Sequence, residues 1–115
     1  MRVLVTGGRN FDDYGAVSDA LHLLDPTVVI VGDANGADTL AYAWCCMCGV
    51  PCVRFYADWN THGRAAGPIR NQRMLDEGKP DVVLAFAGGR GTADMVRRAE
   101  AAGVPVKRPD DTQEW

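Results

Sequence analysis

Short apolar runs rich in β-branched residues alternate along the chain with stretches whose apolar positions recur at helical spacing. Arg2–Thr6 predicts a first strand. Val17, Leu21 and Leu24, with Ala20 between, predict a helix over Tyr14–Leu24, closed by Asp25-Pro26. A continuous apolar strand follows at 27–31, then a helix over 39–48 stopped by Gly49, then a third strand at 52–56. Residues 57–67 read as a long loop. Pro68 stands where a first helical residue would, opening a helix that runs to about Glu77, with Gly78 as its stop. A fourth strand is expected at 82–86. Thr92 is expected to cap a helix reaching Ala102, with Asp94 favouring its positive start, and 104–107 a short fifth strand.

This β-α-β-α-β-α-β-α-β order, with strands that are apolar without interruption, predicts an α/β fold. The expected form is a single Rossmann-like doubly wound domain whose five-stranded, mainly parallel sheet carries helices on both faces. The chain has 115 residues, 47% of them hydrophobic. That fits one domain over 1–107 with a core of its own, followed by a polar, frayed tail over 108–115. No apolar run approaches the roughly 18–20 residues of a membrane span, and the start runs straight into a glycine turn, unlike a signal peptide. A cytoplasmic protein without a membrane partner is the expectation. Cys45, Cys46, Cys48 and Cys52 read as small apolar residues at a helix–sheet seam; no histidine lies near them, so neither a metal nor a disulfide is expected.

The candidate chemistry lies in the loops that follow the strands, where ligands of such sheets bind. These loops hold Gly7, Gly8, Arg9 and Phe11; then Gly32, Asp33, Asn35, Gly36 and Asp38; then Asp58, Trp59, His62, Arg64, Arg70 and Asn71; then Gly88, Gly89, Arg90, Gly91 and Thr92. Glycine lets backbone N–H groups approach a ligand, and a helix start favours an anion. The net charge is −3, yet Arg9, Arg64, Arg70, Arg73 and Arg90 all fall in or beside these loops, which suits a phosphate-bearing ligand. Phe11 and Trp59 are candidate surfaces for a base. The dinucleotide fingerprint G-x-G-x-x-G and the P-loop are both absent, and no cofactor is expected.

Five strings taken together resemble the YspA-like branch of the SLOG superfamily: Gly7-Gly8-Arg9, Gly36-Ala37-Asp38, Ala57-Asp58-Trp59, the run from Ala65 to Met74, and the run from Gly88 to Met95. The resemblance covers the chain from Arg2 to about Val106. It implies a Rossmann-like fold and a nucleotide-related ligand, with phosphate held by Gly88 to Thr92 and by Arg70. The superfamily includes the phosphoribohydrolases that activate cytokinins and sensor domains of bacterial and phage conflict. Where the phosphoribohydrolases carry a glutamate, this chain has Met95, and Asp33 replaces a glycine of the branch.

The expected function is therefore binding of a nucleotide or nucleotide-derived signal, as a sensor or sequestering protein. The alternatives are an N-glycosidic nucleotide hydrolase, with Asp94 and Asp38, and beside them Asp58 and His62, as its candidate acids and bases, and a single-strand nucleic-acid binder. The acidic total disfavours the last. A homodimer or larger homo-oligomer is expected for so small a domain.

Overall fold

A computed structural model of the chain describes residues 1–109. Most of the tail expected at 108–115 lies outside the described residues. Five strands, β1 (Arg2–Thr6), β2 (Val28–Val31), β3 (Cys52–Arg54), β4 (Val82–Ala85) and β5 (Val106–Lys107), form one parallel sheet in the order β3-β2-β1-β4-β5. The β1 register sets Val3 beside Val29 on one side and Val82 on the other. The chain thus adds strands leftward from β1 and then returns to add β4 and β5 on the right, as the doubly wound reading expects.

Side chains of a strand alternate between the two faces of the sheet, and here both faces are covered. Val3, Val5, Val29, Val31, Val82 and Leu84 face helices α1 (Tyr14–Leu24) and α2 (Ala37–Cys48), and meet Val17, Leu21, Ala41 and Trp44. Leu4, Ile30 and Val83 face the opposite way, toward α4 (Ala66–Asp76) and α5 (Arg90–Ala101), and meet Met74, Leu75, Met95 and Ala99. Each such side chain, fully buried, contributes roughly 1.5–3 kcal/mol. The strands read as unbroken apolar runs because neither face is wet.

Several boundaries differ from the sequence reading, each for a local reason. Helix α1 is not among them: it keeps its expected span, Tyr14–Leu24, closed by Asp25 in the left-handed conformation (φ 51°), whose N–H donates to the Leu21 carbonyl. Helix α2 begins at Ala37, two residues early, because Gly36 at φ +80° makes the turn into it. The stretch 57–67 is only partly loop. It holds a short helix α3 (Trp59–His62) and a 3-10 turn (Gly63–Ala65), since Asp58 accepts a bond from the Thr61 amide at 3.1 Å and so nucleates α3. Helix α4 starts at Ala66, which leaves Pro68 inside the first turn, where no amide hydrogen is needed. Helix α5 starts at Arg90 with Gly89 as its N-cap, so Thr92 lies within the first turn and does not cap it. Asp94 consequently sits one turn deeper than expected, away from the helix start. The strands expected at 27–31, 52–56, 82–86 and 104–107 are each shorter, although Phe55 and Phe86 still donate to the neighbouring strand at 2.9 Å. No helix among the described residues is long and apolar enough to cross a membrane.

Candidate functional site

Every strand of a parallel sheet delivers its following loop to the same edge, and a crevice opens where strand order reverses. That reversal falls between β1 and β4. The two loops there touch through bare backbone. The Gly8 amide donates to the Ala87 carbonyl at 2.8 Å, and the Gly8 carbonyl accepts from Phe11 at 3.1 Å and Ala37 at 3.4 Å. A Cβ on Gly88 would collide with Thr92 Oγ1 and the Gly8 nitrogen, and one on Gly36 would strike the Gly8 carbonyl. Gly7 lies against Ala37 and Phe86. These glycines make a floor without side chains. Gly89 and Gly91 differ, for nothing stands within 4 Å of where their Cβ atoms would be. They belong to the start of α5, whose leading amides have no intrahelical acceptor and which no side chain caps.

A second feature occupies the end of β2. Arg70 of α4 reaches across to Asp33, Nη1 to Oδ1 at 2.6 Å, while the other oxygen of Asp33 accepts from the Ala57 amide at 3.2 Å. Gly32 lies directly beside the Arg70 guanidinium and the Asp38 carboxyl. Asp38, in the first turn of α2, is 7% exposed and accepts from the Ala34 amide at 3.3 Å. Burial pushes its carboxyl from an ordinary 3.8 up to about 7. The Arg70 charge and the Ala34 and Gly32 amides resist the rise, and the Asp33 charge adds to it.

Hydrogen bonds join the two features. Arg70 Nε donates to Asn71 Oδ1 at 3.2 Å, and Asn71 Nδ2 donates to the Gly91 carbonyl at 3.2 Å and to Asp94 Oδ2 at 3.0 Å. Arg98 Nε and Arg97 Nη2 each reach Asp94 at 2.8 Å, and Arg98 also donates to Gln72 Oε1 at 3.0 Å. Burial raises the Asp94 carboxyl, but the bonds from Arg98 and Asn71 and the nearby arginine charges outweigh it and hold the group below the usual range. Asp94 therefore ties α4 to α5.

The remaining candidates separate. Arg9, Arg64 and Arg90 are exposed and enter no ion pair among the described residues. Arg73 pairs with Glu77 at 3.0 Å and lies over the Phe55 ring. Phe11 packs against Phe86 with ring centroids 5.0 Å apart, whereas Trp59 is about half exposed at the start of α3. Asn35 and His62 are exposed. Asp58 serves as the α3 cap, and its bonds from Thr61 lower its carboxyl. Met95 is wholly buried under the sheet, so position 95 does not open on the crevice. Cys45 is buried at the expected seam and Cys52 packs against it, partly buried, whereas Cys46 and Cys48 face solvent.

One feature escaped the sequence reading. A groove of about 400 Å³ opens beside the β4 loop, lined among the described residues by 85–89, by Thr92, Ala93, Val96, Arg97 and Glu100 of α5, and by Arg108. The spacing of positions 92, 93, 96, 97 and 100 on one helix face was the available signal.

Comparison with known proteins agrees with this architecture. The family described as "YspA, cpYpsA-related SLOG family" matches residues 1–62. The Gene 61 protein of Mycobacterium phage D29 is 40% identical over 117 residues, covering 91% of this chain and 93% of that protein. Among solved structures, the DNA processing protein A (DprA) of Streptococcus pneumoniae superposes with a TM-score of 0.60 at 16% identity. That match covers 99% of this chain, which spans 62% of the DprA chain. A leucoanthocyanidin reductase from Vitis vinifera, solved with NADPH, gives 0.51 at 16% identity over 91% of this chain and 34% of its own.

Proposed function

The chain belongs to the YspA, cpYpsA-related SLOG family, and we propose that it binds a nucleotide or nucleotide-derived signalling molecule at the carboxyl edge of its sheet, as a sensor or sequestering protein. Phosphate would sit on the amides of Gly89, Arg90 and Gly91, with the Arg90 side chain beside it. The observation that carries this reading is the uncapped start of α5: its leading amides are open, the flanking glycines leave room, and the helix dipole adds favourable charge. The adjoining groove has the volume of a small-molecule site. The SLOG family match and the DprA-like fold are in keeping with a nucleotide-related role.

The test is native mass spectrometry of the purified protein with mono-, di- and cyclic nucleotides and ADP-ribose derivatives, followed by identification of the released molecules. Recovery of an intact ligand supports binding without turnover. Failure of every member of the panel to bind refutes the reading.

A hydrolase is the second reading, and one observation favours it: the Asp38 carboxyl lies buried at the end of β2 beside Gly32 and Arg70, where burial pushes it up to about 7, the range in which a general acid or base works. Release of free base or cleaved phosphate in the same experiment, abolished by Asp38→Asn, would establish it.

A further inference from the structure

We infer that Asp33 receives the ribose hydroxyls of the ligand and makes the protein selective for ribonucleotides over 2′-deoxyribonucleotides. The inference rests on the nucleotide reading above and adds the identity of the sugar.

Asp33 leaves the carboxyl end of β2, the strand next to β1, on the same edge as the open amides of α5. In dinucleotide-binding α/β sheets an acidic residue at this position accepts hydrogen bonds from ribose hydroxyls. A carboxylate offers about four acceptor positions. The side chain of Asp33 uses one with Arg70 and one with the Ala57 amide, and 24% of it remains exposed. Those two bonds come from different elements, so the carboxylate is fixed before any ligand arrives.

Charge assigns the two ends of the ligand. The end of β2 gathers Asp33 and Asp38 around a single arginine that is already paired, so a phosphate there would meet the Asp33 carboxylate and, among the described residues, no free cation. The start of α5 presents amides and Arg90 instead. Distance agrees with that polarity. The ends of β2 and β4 flank β1, two strand spacings or roughly 9–10 Å apart. A ribose 5′-phosphate bridges such a gap once a hydrogen bond of about 3 Å is added at each end. Between the ends lie Gly7 and Gly8, which bring no side chain of their own to that path.

The test compares dissociation constants, by calorimetry, of AMP, GMP, CMP and UMP with those of their 2′-deoxy counterparts. For whichever base binds, the ribonucleotide is expected to bind about tenfold tighter, since bonds to a charged acceptor are the stronger class. In Asp33→Asn that preference falls to about twofold, because the ribonucleotide loses bonds from two hydroxyls while the deoxynucleotide, with only its 3′-hydroxyl, loses less. The wild-type comparison needs no variant, so it decides even if Asp33→Asn is poorly folded by circular dichroism. Equal binding of the two sugars by the wild-type protein overturns the inference and leaves the nucleotide reading intact. So does a folded Asp33→Asn that keeps the full preference, or a preference that follows the base and ignores the sugar. Absence of binding to either series overturns the inference, and failure of the whole nucleotide panel overturns both.

Discussion

Replacing Asp38 by asparagine should stabilise the protein at neutral and alkaline pH while leaving its stability near pH 4 almost unchanged. Asp38 is 7% exposed, and its carboxyl is moved from 3.8 to about 7, chiefly by burial. A shift of about three units at roughly 1.4 kcal/mol each amounts to about 4 kcal/mol. The sign follows from proton binding. Below about pH 4 the group is protonated in both folded and unfolded chains and imposes no penalty. Between about 4 and 7 the unfolded chain releases a proton that the folded chain retains, so stability falls as pH rises. Above about 7 the folded group ionises too, and the loss levels off at its full value. Asparagine keeps an oxygen for the Ala34 amide and carries no charge, so the penalty disappears. Urea unfolding at pH 4.5, 6, 7 and 8 measures it. With a denaturant dependence of roughly 1–3 kcal/mol per molar, the midpoint at pH 8 should rise by about 1 M or more, and that at pH 4.5 by about a quarter as much. Parallel pH profiles for the two proteins would show that Asp38 is not buried as a neutral acid.

The other predictions concern the polar ties and the glycine floor. Asn71→Ala removes a donor from both Asp94 and the Gly91 carbonyl and an acceptor from Arg70; unfolding should show a loss of about 2–4 kcal/mol, since buried groups left unpaired cost roughly 1–3 kcal/mol each. Gly88→Ala should destabilise by about 1–3 kcal/mol, because its Cβ meets Thr92 and Gly8, whereas the Cβ of Gly89→Ala meets nothing and should cost only the poorer N-cap preference of alanine, about 1 kcal/mol or less. Gly89→Asp should fold like the parent yet bind nucleotide at least tenfold more weakly, measured by calorimetry, because a carboxylate then faces the phosphate site.

The fold was readable because the strands announce themselves. Val28–Val31 and Val82–Ala85 are apolar at every position, which only a doubly covered sheet requires. The boundaries were less readable, because they depend on contacts with distant residues. Gly36 turns into α2 where the Gly8 carbonyl arrives from another loop, and spacing alone does not reveal that neighbour. The glycine-rich loops were found correctly as a group at one sheet edge. Their division of labour was hidden: Gly8, Gly36 and Gly88 pack loop on loop, while Gly89 and Gly91 stand open. The arginines divide similarly. Arg70 and Arg73 are paired with acids, and which acid an arginine meets is a long-range property: Asp33 and Arg70 lie 37 residues apart. Asp94 looked like a helix-start acid because Thr92 looked like a cap; one turn of error in the start of α5 changed its neighbours to Asn71, Arg97 and Arg98.

The central claim, that phosphate docks on the start of α5, is tested most directly by a backbone-amide NMR titration with AMP and inorganic phosphate. Saturable shifts led by the amides of Gly89, Arg90 and Gly91 are expected, with those of Gly36 and Ala37 moving less. Saturable binding whose largest shifts fall elsewhere, with the Gly89–Arg90–Gly91 amides unmoved, would contradict it.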